Sequence, residues 1–154
     1  MQQYRSQIGT ILSGETPFEG TIKENITFND TSISHEDLKW VIDAVRLGDF
    51  VKSLPQGLDT KIFPEGKQLS SSNAKKILLA RSIIHKPKVL FYENPTDTMD
   101  ENVANEIIDY IVSDENRWTV IVSSKDDHWK NKCSRIITLQ NGKILTDLKK
   151  ESHA

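Results

Sequence analysis

The chain has 154 residues, 36% of them hydrophobic and 27% charged, a length that suits one domain, roughly 100–200 residues being usual. Its 20 basic and 22 acidic residues sum to −2, which argues against a polybasic surface for nucleic acid or anionic membrane, and its single cysteine excludes a disulfide-stapled secreted scaffold. Apolar runs such as residues 77–80 and 89–92 stop at four, where a membrane helix needs about 20, and no signal-peptide core opens the chain; the expectation is a soluble chain of a reducing compartment.

In chain order, residues 8–12 read as a first strand. Residues 35–47 carry Leu38, Val41, Ile42 and Val45 at i, i+3, i+4, i+7, the stripe of an amphipathic helix, and Gly48 is placed to end it. Residues 70–85 form a second helical pattern. A serine cluster opens it, Asn73, Ile77, Ala80, Arg81 and Ile84 share a face, and Pro87 closes it by disfavouring helical backbone just before itself. Residues 88–93 read as a strand whose apolar residues, 89–92, stand in succession without alternation, as in a strand buried on both faces. Residues 100–112 repeat the helical stripe with Ala104, Ile107, Ile108 and Ile111, and residues 118–123 are a further buried strand. This strand–helix–strand order predicts a parallel α/β sheet. Two last strands, 135–140 and 143–148, flank Asn141-Gly142, a pair suited to a tight hairpin because both residues tolerate positive φ. The tail from 149 to 154 reads as frayed.

Taken in order, these segments resemble the ATP-binding cassette, the nucleotide-binding domain of ABC transporters, and within that family the exporter type. The resemblance runs from about Tyr4 to Leu148. The run 5–9 (RSQIG) resembles the strand before the family's glutamine loop, and Phe18-Glu19-Gly20-Thr21-Ile22-Lys23-Glu24-Asn25-Ile26 is similar to its F-x-G-T-I-x-E-N-I run. Residues 54–62 (LPQGLDTKI) look like its L-P-x-G-L-D-T loop, and Glu65-Gly66 keep part of a glycine-rich approach. Leu69, Ser70, Ser71, Ser72 and Asn73 stand in the place of the LSGGQ signature, and residues 78–82 (LLARS) match the helix after it. Residues 88–96 occupy the Walker B place, 97–100 the D-loop, and Ser124-Lys125 the switch-histidine region. The fold implied is a partial P-loop NTPase-like parallel sheet with an inserted helical subdomain and a C-terminal β-hairpin. Its divisions are a core strand and glutamine-loop position over 1–13, the helical subdomain over 14–86, the rest of the core over 87–148, and the tail.

The departures from the family pattern set the functional expectation. No G-x-x-x-x-G-K-[ST] loop occurs in the 154 residues, and that loop's amides and lysine supply most of the grip on phosphates. Glu93 stands at the Walker B carboxylate, one methylene longer than Asp and still a possible magnesium ligand. Asn94 stands where the family has its catalytic glutamate, and an amide cannot accept a proton near neutral pH. Lys125 replaces the switch histidine. Ser13, at the glutamine-loop position, is too short to reach a metal-bound water. Ser71 and Ser72 replace two glycines that let backbone approach phosphate, and Asn73 replaces the glutamine. Changes gathered in one functional set imply a degenerate, non-hydrolytic cassette. ATP and magnesium are then expected only with a partner cassette or a missing N-terminal portion.

Simpler readings stand beside these. Ser70 suits a helix N-cap, Asp100 an acid at a helix N-terminus, Glu93 and Asn94 the polar end of a buried strand, and Lys125 a solvated surface. The signature residues and Asp100 are therefore relic cofactor contacts or plain capping groups. His35, His85, His128 and His153 show no metal spacing, and no hydrolase nucleophile elbow is present. The resemblance further implies a Walker A strand between strands 118–123 and 135–140. Its absence here implies an open slot and a fragment of a longer exporter-type protein. The implied partners are ABC transporter membrane domains, met near Glu15, Phe18 and Glu19, and a second cassette in a homo- or heterodimer, at the inner face of a membrane and without nucleic acid. Two alternatives are an ATP-hydrolysing transporter cassette using upstream Walker A residues and a soluble interaction module derived from a cassette.

Overall fold

A computed structural model describes residues 7–150; the readings placed on residues 4–6 and on the tail from 151, His153 included, lie outside them. Three parallel strands, β1 (Ile8–Ile11), β4 (Val89–Glu93) and β5 (Thr119–Ser123), form a sheet in the order β1-β4-β5. The register sets Thr10 beside Phe91 and Phe91 beside Ile121. Because side chains alternate across a strand, this register sorts the sheet into two faces. Gly9, Ile11, Leu90 and Tyr92 point to the buried one. There α4 (Ser71–Ile83) crosses β1 so closely that a Cβ on Gly9 would lie 2.1 Å from the Ser82 carbonyl oxygen. The Tyr92 and Ser82 hydroxyls share a buried hydrogen bond of 2.7 Å, and burial raises the phenol's pKa far above its ordinary value.

The opposite face is open. Ile8, Phe91 and Ile121 are 41%, 38% and 51% exposed, with Leu12 beside them at 50%. The outer edge of β5 pairs with no strand among the described residues. The hairpin β6 (Arg135–Gln140) and β7 (Lys143–Lys149) forms as the Asn141-Gly142 pair predicts, with φ of 50° and 73° at those residues, yet it stays a separate two-stranded sheet. Its attachment is polar. The Lys150 ammonium donates to the carbonyls of Lys130 (2.6 Å) and Asn131 (2.8 Å) at the end of α6 (Asp127–Lys132). Trp129 of α6 is itself buried, with its indole N–H on the Thr96 hydroxyl at 3.2 Å.

Between β1 and β4 lies the helical segment. It contains α1 (Ile22–Thr27), α2 (His35–Ala44), α3 (Gly48–Ser53) and α4, with short 3-10 turns at Gly57–Asp59 and Pro64–Gly66. It also holds one antiparallel ladder, β2 (Gly20–Thr21) with β3 (Lys61–Ile62). Thr21 and Ser34 each close a reciprocal capping box with Glu24 and Asp37, satisfying amides that a helix start leaves free. α2 buries Leu38, Val41 and Ile42 as its spacing predicts but ends at Ala44. Arg46 turns into left-handed backbone at φ 54° and breaks the helix, so Gly48 opens α3 instead of ending α2. α4 is buried through Ile77, Leu78, Leu79, Ala80, Ser82 and Ile83, more than one face, because it lies between the sheet and the other helices. α5 (Glu101–Ile111) keeps the predicted single stripe of Ala104, Ile107, Ile108 and Ile111.

The F-x-G-T-I-x-E-N-I run has a physical explanation in Asn25. Its side chain is fully buried; its oxygen accepts from the Phe18 amide (2.9 Å) and from Arg81 Nη2 (2.7 Å). Its amide donates to the carbonyls of Phe18 (2.9 Å) and Thr21 (3.0 Å). Arg81, from the LLARS run of α4, also donates to the Asn25 carbonyl and lies about 5 Å from the rings of Phe18 and Phe28. Two motifs far apart in sequence thus clamp one another.

Candidate functional site

A parallel sheet brings the carboxyl ends of its strands to one edge, where ligand sites of open α/β sheets lie. Here that edge gathers Ser13 after β1, Glu93 and Asn94 at the end of β4, and Ser124-Lys125 after β5. Glu93 Oε2 accepts the Ser13 amide at 3.0 Å. Hydrogen bonding from Ser13, then the nearby Lys75 ammonium, holds the Glu93 carboxyl below the ordinary range, so it is ionised at neutral pH. Asn94 takes left-handed backbone, φ 44°, and its amide donates to the Ser123 carbonyl at 2.8 Å, tying β4 to β5.

A fourth element enters from the helical segment. Lys75 of α4, a side chain only 19% exposed, donates to the Asn94 carbonyl at 3.2 Å and lies 3.8 Å from an Asp97 carboxylate oxygen. The edge therefore carries two acidic groups and a built-in ammonium, with the backbone of Asn94 held on both sides. Lys75 escaped the motif reading. The available signal was physical: a lysine near a helix N-terminus opposes the helix dipole, so a half-buried one calls for a partner.

The structure places the remaining predicted residues at helix starts, against the core or on the surface. Ser70 caps α4, its hydroxyl accepting the Asn73 amide at 3.2 Å, and Ser71 is exposed while Ser72 and Asn73 are half-buried in the first turn. Leu69 packs against the core. Asp100 caps α5, its carboxylate accepting the Asn102 amide at 3.0 Å and the Val103 amide at 3.5 Å. Lys125 is exposed, and the Ser124 hydroxyl accepts the Asp126 amide. Among the described residues, no cluster of three His, Cys, Asp or Glu side chains is arranged to hold a metal ion.

This architecture, a parallel sheet with a capped helical insertion and a polar edge beyond β4, is that of an ABC-type cassette. No protein-family model matches the chain, but individual transporters do. It is 32% identical over 146 residues to an ABC-type transporter of Curvularia clavata, covering 93% of this chain and 11% of that protein. It is 33% identical over 152 residues to an ATP-dependent permease of Candida albicans, covering 96% of this chain and 22% of that one. In fold it matches a bacterial Atm1-family ABC exporter solved with ATP bound, at a TM-score of 0.86 and 22% identity over 93% of this chain and 25% of the exporter. The chain is thus related to ABC transporters and resembles, in sequence and in fold, the exporter-type nucleotide-binding cassette. It spans only about a tenth to a quarter of the length of these relatives. No helix among the described residues is long and apolar enough to cross a membrane.

Proposed function

We propose that the chain is a degenerate cassette segment that gives structural or regulatory support to ATP-driven membrane transport without hydrolysing ATP itself. The observation that carries this reading is the end of β4. By the family resemblance, the position of the water-activating glutamate is held here by Asn94, whose amide has no basic lone pair near neutral pH. The Glu93 carboxylate, the one candidate magnesium ligand, already accepts the Ser13 amide and has the Lys75 ammonium nearby. A divalent ion there would meet a resident cation, and no phosphate-gripping loop is among the 154 residues. These residues do not fit a magnesium–nucleotide group on their own.

In this reading residues 14–86 act as the helical subdomain and 1–13 with 87–148 as the core. The partners are transporter membrane domains near Glu15, Phe18 and Glu19 and a second cassette, placing the chain at the inner face of a membrane. Equilibrium dialysis against ATP with magnesium tests the claim: no retention above a protein-free control is expected, and micromolar retention would contradict it. A second reading, an ATP-hydrolysing cassette completed by Walker A residues outside this sequence, is favoured by the open edge of β5 and by the exposed Ile8, Phe91 and Ile121. An added strand and helix would cover both.

A further inference from the structure

We infer that the β6–β7 turn is a self-modifying site, where Asn141 converts to an aspartyl or isoaspartyl residue without an enzyme. Asn141 is the one asparagine in the sequence followed by glycine. Glycine leaves its own amide nitrogen unshielded, since a Cβ at Gly142 would meet nothing within 4 Å. Asn141 and Gly142 are exposed, and so is every residue of β7.

The chemistry is internal and balanced. The Gly142 amide nitrogen loses its proton to solvent base and attacks Asn141 Cγ, closing a five-membered imide. The Cγ–N bond of the side-chain amide breaks, and the nitrogen leaves as ammonia after taking a proton from water. One water molecule then adds to either imide carbonyl and opens the ring. The product carries an aspartyl side chain or, with the backbone rerouted through Cγ, an isoaspartyl link. No oxidant, metal or cofactor enters.

The fold gates this step. At φ 50° and 73° the two residues are held in the tight turn, whereas ring closure needs free rotation about the Asn141 Cα–C and Cα–Cβ bonds to bring the nitrogen onto Cγ. Reaction requires the turn to open. The hairpin is held by its own ladder, the Arg135–Asp147 ion pair and Lys150 on α6, and among the described residues it pairs with no strand of the other sheets. It is therefore placed to open locally before the core does. Turnover adds one negative charge, and an isoaspartyl link lengthens a two-residue turn that depends on its register.

Ageing the full chain at mildly alkaline pH, followed by trypsin and mass spectrometry, tests this directly. Cleavage after Arg135 and Lys143 isolates residues 136–143, which contain no other asparagine. A gain of about 1 Da, the difference between an amide NH2 and a hydroxyl, is expected there before any other peptide. A parallel sample in urea should convert roughly ten times faster, about what a modest local opening free energy imposes. Asn141→Gln should suppress the shift, since its extra methylene makes the ring six-membered and adds a rotor that must be fixed before the nitrogen can attack. Conversion elsewhere first, or equal rates in native buffer and urea, would overturn the site or its gating respectively.

Discussion

Replacing Asn25 by alanine removes four side-chain hydrogen bonds at once, at a position with no solvent to replace them. The Phe18 amide and Arg81 Nη2 lose an acceptor, and the Phe18 and Thr21 carbonyls lose a donor. Leaving a buried polar group without a partner costs about 1–3 kcal/mol, and part of the Arg81 contact survives through the Asn25 carbonyl. The expected loss is about 3 kcal/mol, a large fraction of the 5–15 kcal/mol typical of a folded domain. At this chain length that lowers the melting temperature by roughly 6–12 °C. Urea titration followed by tryptophan fluorescence reads the loss as a shift in midpoint at unchanged slope. Asn25→Asp keeps both acceptor contacts but turns a carboxylate oxygen onto the Phe18 and Thr21 carbonyls, so it too should destabilise, because an ionised carboxylate has no proton to donate. A loss under about 1 kcal/mol in the alanine variant would refute the view that this asparagine clamps the two motifs together.

Three further outcomes follow from the same structure. Gly9→Ala drives a methyl group into the Ser82 carbonyl, a backbone neighbour that cannot swing away, so a loss of about 3 kcal/mol, at the upper end for overpacking, is expected in thermal unfolding. Asp109 is held below its ordinary 3.8 by hydrogen bonding to Lys132 first and His128 second. Its depressed folded pKa means a stabilising contribution present above 3.8 and lost as pH falls through the lower folded value. The pair is half exposed and solvent-screened, so Asp109→Asn should flatten the acid limb of a stability–pH curve by no more than about 1 kcal/mol. Asn94→Glu combined with Ser71→Gly restores two family residues and should still yield no ATP turnover in this chain, measured by phosphate release, because neither supplies the phosphate grip.

Much of this architecture is legible in residue patterns. The strands β1, β4, β5, β6 and β7 fall within a residue of their expected bounds, because runs such as residues 89–93 and the Asn141-Gly142 turn carry strong local preferences. α5 follows its stripe because one face alone is buried. The shorter pieces escape for a shared reason. α1, α3 and α6 have six residues each and the β2–β3 ladder two per strand, too few for a period to emerge. Their positions come from tertiary contacts such as Asn25 with Arg81 and Trp129 with Thr96. At the candidate site, motif order locates Ser13, Glu93, Asn94 and Lys125 at one sheet edge. It does not reveal Lys75, whose role depends on how far α4 leans over β4.

The most direct test of a non-hydrolytic cassette is steady-state phosphate release with magnesium and ATP, from the chain alone and mixed with an intact, Walker A-bearing cassette. No turnover by the chain alone is expected, and the mixture should not exceed the intact cassette by any amount that Asn94→Ala in this chain abolishes. Phosphate release by the chain alone, or an Asn94-dependent gain in the mixture, would contradict the account.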